Sequence, residues 1–189
     1  MHRFPGERHA HGEGAPQMIF TAYADGRFDL AGQTVRCAVG AAGVVAASDK
    51  REGDGASPAG VWPLRELFYR PDRGPAPPTA LPAYALAHDQ GWCDDPGDEG
   101  YNRKVALPYP ARCESLWRED GLYDLIVLLG YNDRPVVKGA GSAIFLHIAQ
   151  DDFAPTQGCV ALSREAMHRL LAIAALGDAL AISLAGAYP

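Results

Sequence analysis

The readable part of the chain opens on short alternating runs of apolar and polar positions. "MIFTAYADGRFDLAGQTVRCAVG" (18–40) alternates in segments broken at Asp25-Gly26 and Ala31-Gly32. Such dipeptides favour tight hairpin turns, so the stretch predicts a β-meander, which "GVVAAS" (43–48) continues. "DKREGDGASPAG" (49–60) is a polar, Gly-rich loop. "VWPLRELFYR" (61–70) predicts a further strand, and Pro63, having no amide proton, belongs at an edge or a strand start. Residues 71–82 form a Pro-rich surface segment. From 83 to 110 the pattern is irregular, and a long structureless stretch in a compact domain predicts a functional lid or loop. "LYDLIVLLGYN" (122–132) predicts a central strand, and "SAIFLHIA" (142–149) another, apolar enough to be buried on both faces.

One substantial helix is predicted. Ser163 suits an N-cap, Glu165 suits the first turn, and "EAMHRLLAIAAL" (165–176) places apolar residues at helical spacing. Gly177 is expected to end it, and "DALAISL" (178–184) to close the domain as a strand. The fold class is therefore mostly β with one helix, in a single domain over 18–189. "MHRFPGERHAHGEGAPQ" (1–17) is expected to be a disordered tail, because Gly, Pro and charge dominate it. His2, His9 and His11 in that tail are expected to be solvated rather than metal-binding.

Composition narrows the function classes. The 189 residues suit one full core, and 48% hydrophobic with 21% charged residues is ordinary for a globular domain. A net charge of −6 argues against a nucleic-acid partner, whose phosphates need a basic face. No apolar run approaches the roughly 18 residues of a membrane span. The N-terminus lacks the apolar core of a signal peptide. The four cysteines, at 37, 93, 113 and 159, have neither C-x-x-C nor zinc-finger spacing, so free thiols are expected; Cys93 and Cys113 flank a polar loop and could pair in an exported protein. No metal and no cofactor is implied.

The candidate chemistry lies in "FLHIAQDDFAPTQGCVALS" (145–163). His147 ends a buried strand, and Cys159 follows Gly158 shortly before the helix. A thiol near a helix N-terminus and an imidazolium is expected to have its pKa lowered from ~8.5 into the range of roughly 3.5–7.5. A thiolate attacks carbonyl carbon. Gly158 permits an unusual turn, and amides of Gly158 and Cys159 could face an oxyanion, while Thr156 could hold the loop. A His and a Cys that do nothing together would give the same spacing.

"FLHIA…PTQGCVALS" resembles the active-site signature of the L,D-transpeptidase catalytic domain (YkuD) family: a strand-end His, a variable loop, then Ser/Thr-His-Gly-Cys. The resemblance extends over most of 18–184. "KREGDGASPAGVW" is similar to the family's Thr-Pro-x-Gly segment, with Ser57 in place of Thr, and "YNRKVALP", "LYDLIVLLGYN" and "GSAIFLHIA" resemble a compact proteobacterial branch. The resemblance implies a YkuD-like β-sandwich or mixed sheet. It implies Cys159 as nucleophile, His147 as its activator, Gly158 and Cys159 as oxyanion-hole amides, and Thr156 in the motif's Ser/Thr place. It further implies an acyl-enzyme made from a peptidoglycan stem peptide, with a second stem's amine as acceptor, in three-to-three or one-to-three cross-links involving meso-diaminopimelate. Gln157 departs from the motif's second His, and Ala161 from its Asn or Arg. Those departures keep open an L,D-carboxypeptidase or endopeptidase, and a catalytically weak peptidoglycan-binding module.

Such a substrate carries carboxylates and an amine, so its site needs a cation and an acidic acceptor. Arg103 is the basic candidate, Asp94 and Asp95 are the acidic ones, and Trp92 and Tyr101 could wall a groove; each is equally at home on a solvated loop. Arg51 and Glu52 are expected to form a solvated pair. The family implies the periplasm or cell envelope, with the cytoplasm as the alternative where no leader is present.

Overall fold

The computed structural model describes residues 18–186. The expected tail, with His2, His9 and His11, lies outside the described residues. Strands β1 (Ile19–Tyr23), β2 (Arg27–Leu30) and β3 (Gln33–Ala38) form the predicted meander. Its second turn places both Ala31 and Gly32 at positive φ (52° and 83°), the geometry that matches strand twist in a two-residue hairpin. The remaining elements are β4 (Val44–Ala46), β5 (Ser57–Tyr69), β6 (Ala83–Ala85), β7 (Gln90–Cys93), β8 (Arg103–Ala106), β9 (Cys113–Ser115), β10 (Leu125–Leu129), β11 (Phe145–Ile148), β12 (Val160–Leu162), helix α1 (Arg164–Ile173) and β13 (Ala179–Ser183).

The main sheet runs β10-β11-β12-β3-β2-β1-β13-β5, and β5 pairs again with β10, so the path closes on itself. The sheet is mixed: β1 with β13 and β11 with β12 are parallel, while β10 with β11 and β12 with β3 are antiparallel. Closure depends on β5 changing partner along its length. Residues 60–63 pair with β13, and residues 64–69 pair with β10. Pro63 sits at that change of partner, inside a 13-residue strand rather than at an edge or start. Its carbonyl takes the Gly130 amide at 2.8 Å, and the return bond of that pair is the one a proline cannot make.

All five residues of β10 are buried, as its continuous apolar run predicts. Alternate residues serve two cores. Leu125, Val127 and Leu129 join the larger one, with Leu146, Val160, Leu180 and the α1 residues Met167, Leu170 and Leu171. Ile126 and Leu128 point the other way, to Phe68, Leu116, Tyr123, Phe145 and Cys159. Over this second core lies a three-stranded antiparallel sheet, β8-β7-β9. β7 and β8 fall in the stretch expected to be irregular (83–110), and β9 follows just after it. Its strands, QGWC, RKVA and CES, have three or four residues each, too few to show a period of two in sequence.

Helix α1 begins as predicted, with Ser163 Oγ accepting the Ala166 amide at 3.1 Å. It ends at Ile173, before the expected Gly177. Asp178 stops it by accepting the Ala175 amide at 2.8 Å, and Gly177 (φ 99°) serves the turn that follows. Among the described residues, no helix is long and apolar enough to cross a membrane.

Candidate active site

The parallel pairing of β11 with β12 sets His147 beside Ala161. Side chains alternate along a strand, so Cys159, two residues before Ala161, comes to the same face as His147. There it meets Phe145, whose amide approaches Sγ at 3.4 Å. Thr156 Oγ1 donates to the Cys159 carbonyl at 2.7 Å and accepts the Gly158 amide at 3.1 Å. The loop is held to the sheet by the Thr156 amide on Val39 O (3.0 Å) and the Ala41 amide on Thr156 O (2.8 Å). Gly158 has φ 128°, and a Cβ there would stand 2.8 Å from Ala56 O, so both backbone and space require glycine.

The electrostatics differ from the sequence expectation. The thiol is not at the helix terminus: β12 separates Cys159 from α1. Cys159 is 8% exposed, and burial pushes its pKa up to about 12. Its Sγ donates to Ala143 O at 3.1 Å, and no hydrogen bond joins thiol and imidazole. His147 is equally enclosed, and burial pulls it down to about 4, the opposite of an imidazolium. Nδ1 lies 2.8 Å from Ile148 O, which fixes the proton on Nδ1 and leaves Nε2 as acceptor. The resting pair is therefore neutral thiol and neutral base. The Gly158 amide, directed to Thr156, does not face the cavity as expected of an oxyanion-hole donor.

Cys159 opens on a cavity of about 270 Å³, lined also by Lys50, Glu52, Asp94, Arg112, Glu114, Tyr123 and Gln157. Of the substrate-binding candidates, Asp94 reaches it. Arg103 lies instead in a separate cavity of about 280 Å³ with Trp92. Trp92 meets the Phe145 ring edge-on at 5.1 Å and so backs the site from behind. Asp95 caps a turn through the Gly97 amide at 2.9 Å. Tyr101 is 1% exposed, and its hydroxyl donates to Glu52 at 2.5 Å, a structural post rather than a groove wall. A larger cleft of about 640 Å³, lined by residues such as Asp120, Ile148 and Phe153, contains neither Cys159 nor His147.

Several residues beyond the expected site candidates hold this region together. Glu52 does not pair with Arg51; it accepts from Tyr101 and from Ser142 Oγ (2.7 Å). Lys50, the neighbouring cation, is 2% exposed and bonds Asp54 at 2.6 Å. Asn102 ties the small sheet to the loop before β11. Its Oδ1 accepts from Trp92 Nε1 (2.9 Å) and the Ala143 amide (3.1 Å), and its Nδ2 donates to Tyr131 O (3.3 Å) and Asn132 O (2.8 Å). Asn102 and Ala143 both hold φ 54°, a conformation that costs a non-Gly residue roughly 1–3 kcal/mol and recurs at functional sites. Only its place between Tyr101 and Arg103 signalled Asn102. Glu114, on β9, carried no signal at all.

A family model for the L,D-transpeptidase catalytic domain (YkuD) matches residues 14–182. A mostly-β fold with one helix among the described residues, a Cys and a His on one face of the sheet, and this match define the class: the chain belongs to the L,D-transpeptidase catalytic domain family. Among solved structures, an L,D-transpeptidase from Mycobacterium smegmatis is similar at 12% identity with a TM-score of 0.41, covering 89% of this chain. The chain spans 59% of that protein's length. Comparison with curated proteins returns no match.

Proposed function

We propose that the protein is a cysteine-dependent L,D-transpeptidase that acts on peptidoglycan stem peptides in the cell envelope through an acyl-enzyme. The observation that carries this is the placement of Cys159, just before β12, on the side of the sheet that His147 of β11 faces, with the thiol at a polar cavity, inside the family-matched region. His147 Nε2 takes the thiol proton as sulfur attacks the donor carbonyl, so no standing thiolate is needed. The C–N bond breaks, the leaving amine takes the proton from His147, and a thioester remains. A second stem's amine then attacks the thioester; C–N forms, C–S breaks, and the thiol is restored. Cross-links involving meso-diaminopimelate, of three-to-three or one-to-three type, are the products.

The test is intact-mass and product analysis with purified tetrapeptide stems, beside Cys159→Ala. A thioester adduct and a dimeric stem, both absent from the variant, are expected, and fragmentation of the dimer assigns the linkage. Tripeptide alone would make the enzyme a carboxypeptidase. Intact stems and no adduct would overturn the catalytic reading in favour of a binding module.

A further inference from the structure

We propose that Glu114 is the acceptor-amine site: its carboxylate receives the cationic amine of the second substrate and takes a proton from it. The inference rests on the transpeptidase reading above and adds a catalytic residue to its second half.

The cavity at Cys159 holds five charged side chains, and four already have partners. Lys50 bonds Asp54 at 2.6 Å, Arg112 bonds Asp94 at 3.0 Å, and Glu52 accepts from Tyr101 and Ser142. Glu114 differs. Its Oε2 accepts from Tyr123 Oη at 3.1 Å, while Oε1 is buried with no hydrogen-bond partner. A carboxylate oxygen buried without a partner is costly, and an ammonium group entering the cavity that Glu114 lines is the partner that offsets the cost. Burial holds this carboxyl up at about 7, so near neutral pH it exchanges protons readily. Glu114 and Cys159 line the same cavity. Tyr123 links it to the base: the ring stands edge-on to His147 at 5.3 Å.

The proton balance is complete. An ammonium acceptor gives one proton to Glu114 and becomes a nucleophilic amine. As C–N forms and C–S breaks, a second N–H proton passes through His147 to the departing sulfur. Glu114 then releases its proton to solvent, and the amide keeps one N–H.

The test compares two nucleophiles on the acylated full-length protein. One is the cationic amine of a diaminopimelate-containing stem, and the other is hydroxylamine, largely uncharged at neutral pH. Glu114→Gln should lower the ratio of stem transfer to hydroxylamine transfer at least about tenfold, as for loss of one charge-assisted hydrogen bond. Glu114→Asp, which keeps the charge, should retain most of the ratio. An unchanged ratio in Glu114→Gln overturns the proposal. Acylation lost in both variants also overturns it, because the carboxylate would then serve the first half-reaction. No adduct in the unsubstituted protein would instead remove the transpeptidase reading, and this inference with it.

Discussion

Ser57 Oγ donates to the carbonyl of Cys159 at 3.2 Å, across 102 residues of sequence. The same hydroxyl accepts the Gly40 amide at 2.9 Å, and Ser57 is fully buried. With Thr156 Oγ1 on the other side, the Cys159 carbonyl has both lone pairs engaged, which fixes the peptide that carries the nucleophile. Ser57→Ala strands the Gly40 amide and frees one lone pair. The expected loss is roughly 1–3 kcal/mol in urea unfolding, with slower acylation. A midpoint equal to that of the unsubstituted protein would remove the bracing role.

Thiol reactivity should be slow at rest. Cys159 is buried with its pKa raised to about 12, whereas Cys113, raised to about 11, is half-buried. Iodoacetamide at neutral pH should label Cys159 no faster than Cys113, with the rate climbing into the alkaline range without a neutral plateau. Site-resolved mass spectrometry reads both. Rapid labelling of Cys159 at mildly acidic pH, abolished by His147→Ala, would restore the thiolate–imidazolium picture.

His147 and Glu114 should shape pH stability with opposite signs. His147 is lowered from 6.5 to about 4, so between those values the unfolded chain binds a proton that the native site refuses. Stability therefore falls as pH drops through that window, by about 3 kcal/mol in full. Glu114 is raised from 4.5 to about 7, so the native state binds the extra proton, and stability falls as pH rises through that window. Ionising it costs about 3 kcal/mol. Urea midpoints against pH should show Glu114→Gln gaining on the unsubstituted protein as pH rises from 4.5 to 7, and His147→Gln losing the acid limb. Parallel curves for all three proteins would contradict both shifts.

Cys93 and Cys113 stand directly opposite each other on antiparallel β7 and β9. The next pair is bonded, with the Asp94 amide on Arg112 O at 3.2 Å, so the cysteines occupy a non-hydrogen-bonded site, where Cα atoms lie about 4.5 Å apart. That is within disulfide reach. A small-molecule disulfide such as oxidised glutathione should convert the two thiols to a bond, releasing two equivalents of reduced glutathione. Stability should rise by about 3 kcal/mol in the oxidised form. Persistent mixed disulfides, or no change in thiol count, would show that the strands do not let the sulfurs meet.

The sequence by itself determined the local parts of this protein. The meander follows from Asp25-Gly26 and Ala31-Gly32, the start of α1 from Ser163, and the buried strand from the run through Leu125–Leu129, because turns, caps and continuous apolar runs act over a few residues. The motif around Cys159 made the family legible for the same reason. Tertiary structure alone decided the rest. β5 closes the sheet by changing partner at Pro63, which depends on strands far apart in the chain. The short strands of β7, β8 and β9 gain stability from the second core they cover rather than from their own pattern. Glu114 reaches the site through β-pairing across a long loop, and Asn102 through side-chain hydrogen bonds to the loop before β11. The charge states of His147 and Cys159 depend on the tertiary structure for a related reason. Sequence spacing places charges and dipoles near a thiol, but burial decides whether water is left to support an ion, and burial exists only once the layers have packed.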